Sequence, residues 1–259
     1  MTMQFQVDLN SDIGESYGAY TIGQDVEVME FITSANIACG YHAGDHNIIH
    51  RTVKMAIENN VAIGAHPGLQ DLIGFGRRPM QISPEEVYQL TIYQIGAVQA
   101  FAQVKGYDLH HVKPHGALYN MAAKDSAIAK DIAQAVYDYN PDLILFGLAN
   151  SELIRMGKDV GLQVANEVFA DRTYQPDGSL TPRTSTNAMI HDTEEAVKRV
   201  IRMIKENKVK AVDGTDVSII ADTICVHGDG PKSLEFSRQL SHELKNQGIS
   251  IKKVGKHHG

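Results

Sequence analysis

Short apolar runs alternate with amphipathic helical stretches along the whole chain, and this alternation limits the possible fold more than any other feature. Runs at 4–9, 35–39, 62–65, 111–113, 143–147, 164–169 and 223–226 read as buried strands, and 249–254 as an eighth strand or an edge. Between them Val87, Leu90, Ile95, Val98 and Phe101 mark one face of a helix, with Ser83, Pro84 and Glu86 as its cap, first-turn proline and capping-box acid. Val197, Val200, Ile201 and Ile204 mark another, closed by Lys205 and Lys208. Leu234, Leu240 and Leu244 mark a third behind Pro231, and 125–139 a fourth, stopped before Pro141. Strand, helix, strand repeated about seven times calls for parallel pairing through right-handed crossovers, in a closed barrel or an open doubly wound sheet. No linker or shift in composition divides the 259 residues, so one domain over 1–259 is expected.

Polar and ionisable residues gather where the apolar runs stop. The first run leads into Asn10, Asp12 and Glu15, the second into His42 and Asp45, and the third into His66. The fourth leads into Lys113 and His115, the sixth into Glu167, Asp171 and Arg172, and the seventh into His227 and Asp229. In a parallel α/β fold these strand ends share one face, the face that carries the active site in barrels and the ligand crevice in open sheets. An active site on that face is therefore expected.

Several classes of partner are disfavoured. The net charge is −7 and no Lys/Arg-rich run occurs, which argues against nucleic acid. No apolar run is long enough for a membrane span, and the N-terminus does not read as a signal peptide. Cys39 and Cys225 lie inside apolar runs and form no CxxC pair, so both are expected to be buried, reduced thiols of a cytoplasmic protein. No Walker loop, G-x-G-x-x-G helix start or G-x-S-x-G elbow is present, so the chain carries no self-contained ATP or dinucleotide module.

The stretch "SANIACGYHAGDHNIIH", 34–50, admits three readings. With a helix starting near Ala43, His42, His46 and His50 fall on one side of it, His42 nearest the strand end. Asp12, His42, His66 and His115 could hold a metal from four strand ends, since such a site needs three or four N/O ligands. They could instead form an acid/base site, or Asp45 could cap the helix while the histidines pair with carboxylates. The loop "EVFADRTYQPDGSLTPR", 167–183, brings Glu167 and Asp171 as acids and Arg172 and Arg183 as carboxylate-binding groups. A second loop, "GFGRRP", carries Arg77 and Arg78, and "CVHGDGPKS" offers backbone N–H groups to an anion.

The blocks "VDLNSDIGESYG", "SANIACGYHAGD", "AIGAHPG", "GFGRR", "HVKPHGALYN", "EVFADRTYQPDGSLTPR" and "CVHGDGP", in that order over 7–231, resemble the LamB/YcsF family, whose members form the A subunit of prokaryotic 5-oxoprolinase. The resemblance implies a distorted seven-stranded (β/α) TIM-like barrel of the glycoside hydrolase/deacetylase type. It implies ATP-dependent hydrolytic opening of 5-oxo-L-proline to L-glutamate, with the 5-oxoprolinase subunits B and C as partners that hold most of the ATP and Mg²⁺. Joined to strand-end placement, that activity suggests Asp12, His42, Asp45, His66, His115 and Glu167 as the acid/base set. Asn10, Lys113, Arg172, Arg183, His227 and Asp229 would then hold the substrate. His46 stands where the family pattern has a Pro or small residue, which counts against it as a ligand. A resident transition metal is not expected on this reading. The rivals are a metal-dependent deacetylase or amidohydrolase acting alone, and a non-catalytic subunit that only captures a lactam.

Overall fold

A computed structural model describes residues 5–226 and 231–255. Along the chain β1 (Gln6–Ile13) is followed by α1 (Asp25–Val28), β2 (Ser34–Ala38), α2 (His46–Glu58), β3 (Ala62–His66) and α3 (Pro84–Gln103). Strand β4 (His111–Val112) leads into α4 (Gly116–Ala122) and α5 (Ser126–Tyr139), and β5 (Ile144–Leu148) into α6 (Glu152–Asp159) and β6 (Val164–Phe169). A long loop then leads to α7 (Thr193–Glu206), the hairpin strands β7 (Lys208–Lys210) and β8 (Asp216–Ser218), β9 (Thr223–Cys225), α8 (Pro231–Asn246) and β10 (Ser250–Ile251).

Seven parallel strands run in the order β1-β2-β3-β4-β5-β6-β9, and β9 pairs back with β1. The sheet therefore closes as a TIM-like barrel rather than opening into a doubly wound sheet. Strands β2, β3 and β5 are buried at every position, as strands covered on both faces must be. Strand β4 is short because Pro114, just beyond Lys113, has no N–H to continue the ladder. The run at 249–254 reduces to the two residues of β10, which pair only with Gln6 and Val7 of β1.

Strand β1 continues to Ile13, beyond the apolar run that announces it. Its alternate residues Asp8, Asn10 and Asp12 hydrogen-bond to side chains of neighbouring barrel strands and so face the interior, while Leu9 and Ile13 join the apolar core. Helix α7 ends at Asn207 in the left-handed conformation, so Lys208 opens the hairpin instead of closing the helix. The start of α3 is the capping box that Ser83 and Glu86 announce. Gly64 on β3 leaves room for His111, since a Cβ there would overlap its ring, which stacks on Phe146. No helix among the described residues is long and apolar enough to cross a membrane.

Asp8 sits in the barrel floor, 1% exposed, and accepts hydroxyl hydrogen bonds from Thr33, Ser34 and Thr223. Burial pushes its carboxyl up to about 6, against the pull of those hydroxyls. A folded pKa above the unfolded one means that protonation favours the native state. The contribution is complete below about pH 4 and is lost as pH rises through 6, and is worth about 3 kcal/mol. Asp8→Asn is neutral throughout. Its Tm relative to wild type is expected to climb between pH 4 and pH 8, and a difference that stays flat would contradict the assignment.

Candidate active site

A cavity of about 210 Å³ opens among the C-terminal ends of the barrel strands, lined by Asp12, Glu15, His66, Lys113, His115 and Arg172, with Arg77, Tyr119 and Arg183 also on its wall. Lys113 forms the centre of the floor. Its Nζ donates to Asp12 Oδ1 at 2.8 Å and to Asn10 Oδ1 at 3.2 Å, and lies 3.3 Å from Cys225 Sγ. Glu167 Oε1 is 2.8 Å away, within ion-pair distance though not aligned as a hydrogen bond. Asn36 Nδ2 lies 2.8 Å from both Asn10 Oδ1 and Asp12 Oδ1, and the Tyr119 hydroxyl donates to Glu167 Oε2 at 2.6 Å. Burial on its own would discharge Lys113, but the charges around it, Asp12 foremost, hold its pKa well above the usual range. The partly buried Asp12 is likewise pushed up by burial, but His66 and Lys113 outweigh that and keep it ionised well below the usual carboxylate range.

Three buried histidines flank this floor. His66 Nδ1 lies 2.7 Å from the Lys113 carbonyl and must donate to it, which directs Nε2 towards Asp12 Oδ2 at 3.4 Å and His115 Nδ1 at 3.0 Å. His115 Nε2 donates to the Phe75 carbonyl at 2.8 Å. His42 stacks on His115 with centroids 3.6 Å apart, and neither of its ring nitrogens has a hydrogen bond. Burial holds the pKa of His42 and of His115 well below the ordinary range, helped by His66 beside the first and by His42 and His66 beside the second. Glu15 reaches the same point because Gly14, at φ +69°, turns the chain back after β1. Burial raises the Glu15 carboxyl, against the pull of His115.

Arg172 and Arg183 also line the cavity. Arg172, 6% exposed, donates to the Thr181 carbonyl at 2.6 Å, while its Nε has no hydrogen bond. Burial and the nearby Arg183 lower its pKa. Two adjacent guanidiniums suit an anionic group such as a carboxylate or phosphate.

Of the residues singled out from sequence, Asn10, Asp12, His66, Lys113, His115 and Glu167 come together here, with His42 one ring behind and Arg172 and Arg183 on the wall. Asp45 does not line the cavity. It is the N-cap of α2: Oδ1 accepts from the N–H groups of Asn47 and Ile48, and Oδ2 from Gly18. Helix α2 begins at His46, not near Ala43, so His42 precedes it, and His46 and His50 are exposed. His227 and Asp229 lie outside the described residues. Sequence reasoning passed over Asn36 and Tyr119, and it noted Glu15 without including it in the set. A polar Asn in the middle of the apolar run at 35–39 was the available signal for Asn36.

A family model described as LamB/YcsF family matches residues 7–259. A protein of Oceanobacillus iheyensis, named as the A subunit of 5-oxoprolinase, is 89% identical over 99% of this chain and 100% of its own length. One of the same name from Bacillus subtilis is 57% identical over 95% of this chain and 96% of its own. The crystal structure of a lactam utilization protein from Thermus thermophilus superposes with a TM-score of 0.91 at 45% identity, covering 95% of this chain and 99% of that one.

Proposed function

The chain belongs to the LamB/YcsF family, and from that premise we propose that its cavity performs the ring-opening step of a 5-oxoprolinase. The enzyme hydrolyses the cyclic amide of 5-oxo-L-proline to L-glutamate at the expense of ATP. Its relatives are named as the A subunit of that enzyme, which favours this reading over a hydrolase acting alone. The observation that carries the site assignment is the buried ammonium of Lys113 between Asp12 and Glu167, in a small cavity that Arg172 and Arg183 also line.

An unstrained lactam is a resonance-stabilised amide and resists water. Phosphorylation of its carbonyl oxygen makes the ring carbon electrophilic and supplies a leaving group. Asp12, held ionised, takes the proton of the attacking water and passes it to the ring nitrogen as the C–N bond breaks, which leaves γ-glutamyl phosphate. A second water then hydrolyses that acyl phosphate to L-glutamate and inorganic phosphate. Lys113 stabilises charge developing on the oxygen, and Glu167, fixed by Tyr119, keeps the ammonium in place. Arg172 and Arg183 hold the substrate carboxylate or the phosphoryl group. Asp45 is left with its capping task. Subunits B and C supply most of the site for ATP and Mg²⁺, in keeping with the lack of a phosphate-loop motif in this sequence. Two buried free cysteines, Cys39 and Cys225, suit a reducing cytoplasm.

Glutamate release from 5-oxoproline with ATP and Mg²⁺ tests this, using the chain alone and with subunits B and C. Release is expected only from the full mixture. No release from the full mixture would end the ring-opening reading. Release from the chain alone would place the ATP site here and end the division of labour.

A further inference from the structure

We propose that Glu15, His42, His66 and His115 form a binding site for one divalent first-row transition ion, with Zn²⁺ as the fitting probe. Hydrogen-bond geometry leads there first. His66 Nδ1 and His115 Nε2 are each committed to a backbone carbonyl, at 2.7 and 2.8 Å. The remaining nitrogens, His66 Nε2 and His115 Nδ1, then face each other lone pair to lone pair at 3.0 Å. Two lone pairs at that distance are joined either by a proton on His66, which is the charged form that holds Asp12 down, or by a metal ion that takes its place, and only the metal also uses the Glu15 and His42 donors gathered beside them. Glu15 Oε1 has no hydrogen bond and lies 3.5 Å from His115 Nδ1 and 3.4 Å from His42 Nε2. His42, 1% exposed, leaves both ring nitrogens without hydrogen bonds.

Spacing supports the same occupant. The four donor atoms lie within 4.8 Å of one another. Ligands about 2.0–2.2 Å from a tetrahedral ion stand about 3.3–3.6 Å apart, the 3.4 and 3.5 Å that Glu15 Oε1 keeps from His42 and His115, while His66 Nε2 and His115 Nδ1, at 3.0 Å, part slightly to admit the ion. An N₃O donor set suits a borderline ion such as zinc rather than Mg²⁺ or Ca²⁺. The Lys113 and Phe75 carbonyls fix the tautomer and aim of His66 and His115, the task of outer-sphere partners at metal histidines. The stack of His42 on His115, tilted by only 2°, keeps their ring lone pairs parallel, so His42 does not aim at an ion held by His115 unless it tilts. Glu15, His66 and His115 are therefore the first three ligands, and His42 joins by tilting off the stack or leaves the fourth position to water. Asp12 stays outside this set, 3.4 Å from His66 Nε2, and remains a free base. No resident transition metal is expected from the sequence, and metal titration decides between that expectation and this site.

The test reads metal, not glutamate, so its failure leaves the ring-opening reading standing. The full chain without an affinity tag is stripped with chelator, dialysed, and titrated with Zn²⁺ by calorimetry and with Co²⁺ by visible absorption. One ion per chain is expected, with Co²⁺ bands of a four- or five-coordinate site. Glu15→Gln and His66→Gln, each confirmed folded by circular dichroism, are expected to bind at least about 100-fold more weakly. Substoichiometric binding, or affinity unchanged in folded variants, overturns the proposal. Should both variants unfold, zinc-edge absorption spectroscopy of the wild-type protein decides: two or more imidazoles in the shell support the site, and fewer reject it.

Discussion

Asp12→Asn is expected to lower glutamate release by the assembled enzyme about 10³-fold while the chain stays folded, the range set by loss of a positioned base. The amide keeps the shape of the carboxylate, so its oxygen still accepts from Lys113 Nζ and Asn36 Nδ2, each 2.8 Å from Asp12 Oδ1 in the wild type. What disappears is the negative charge and the capacity to take a proton from water. Because His66 and Lys113 hold Asp12 ionised well below the usual carboxylate range, its protonation cannot set an acid limb of the rate profile at ordinary carboxylate pH. Turnover at saturating ATP and substrate, with subunits B and C present, is the measurement. A variant that keeps more than about a tenth of wild-type turnover would remove Asp12 from the role of base.

The site was legible where it follows strand ends and obscure where it depends on the barrel interior. His66 and His115 each stand beside a proline that stops a strand, and both reach the cavity. Helix caps were equally plain, as Ser83 with Glu86 and Asp125 show. Strand β1 was cut short because its interior-facing residues, Asp8, Asn10 and Asp12, are polar, and periodicity rules take an apolar interior for granted. Asn36 was hidden for the matching reason: it is the partner those residues require from β2. Tyr119 carried no signal, since an aromatic residue on a helix reads as core until Glu167 is seen beneath its hydroxyl. Asp45 misled because a carboxylate just after a strand end is also the residue a following helix wants as its cap, and here the cap takes one oxygen and the Gly18 N–H the other.

Lys113→Met carries the largest expected loss of stability. Removing the ammonium leaves Asp12 and the wholly buried Glu167 with no cation between them, in a place where each was 2.8 Å from Nζ. Breaking a buried pair from one side costs about 3–5 kcal/mol, chiefly through the charge left behind. The sign with pH follows. Without Lys113 the folded pKa of Asp12 rises relative to wild type, so the deficit is greatest above neutrality and shrinks as pH falls and Asp12 protonates. Urea unfolding of the isolated chain at pH 8 and pH 5 separates this from simple loss of packing, which would cost the same at both. Adding Glu167→Gln to Lys113→Met removes one of the stranded charges and is expected to recover part of the deficit at pH 8. A double variant no more stable than the single would mean that the ammonium fills space at this position and does not hold the carboxylates together.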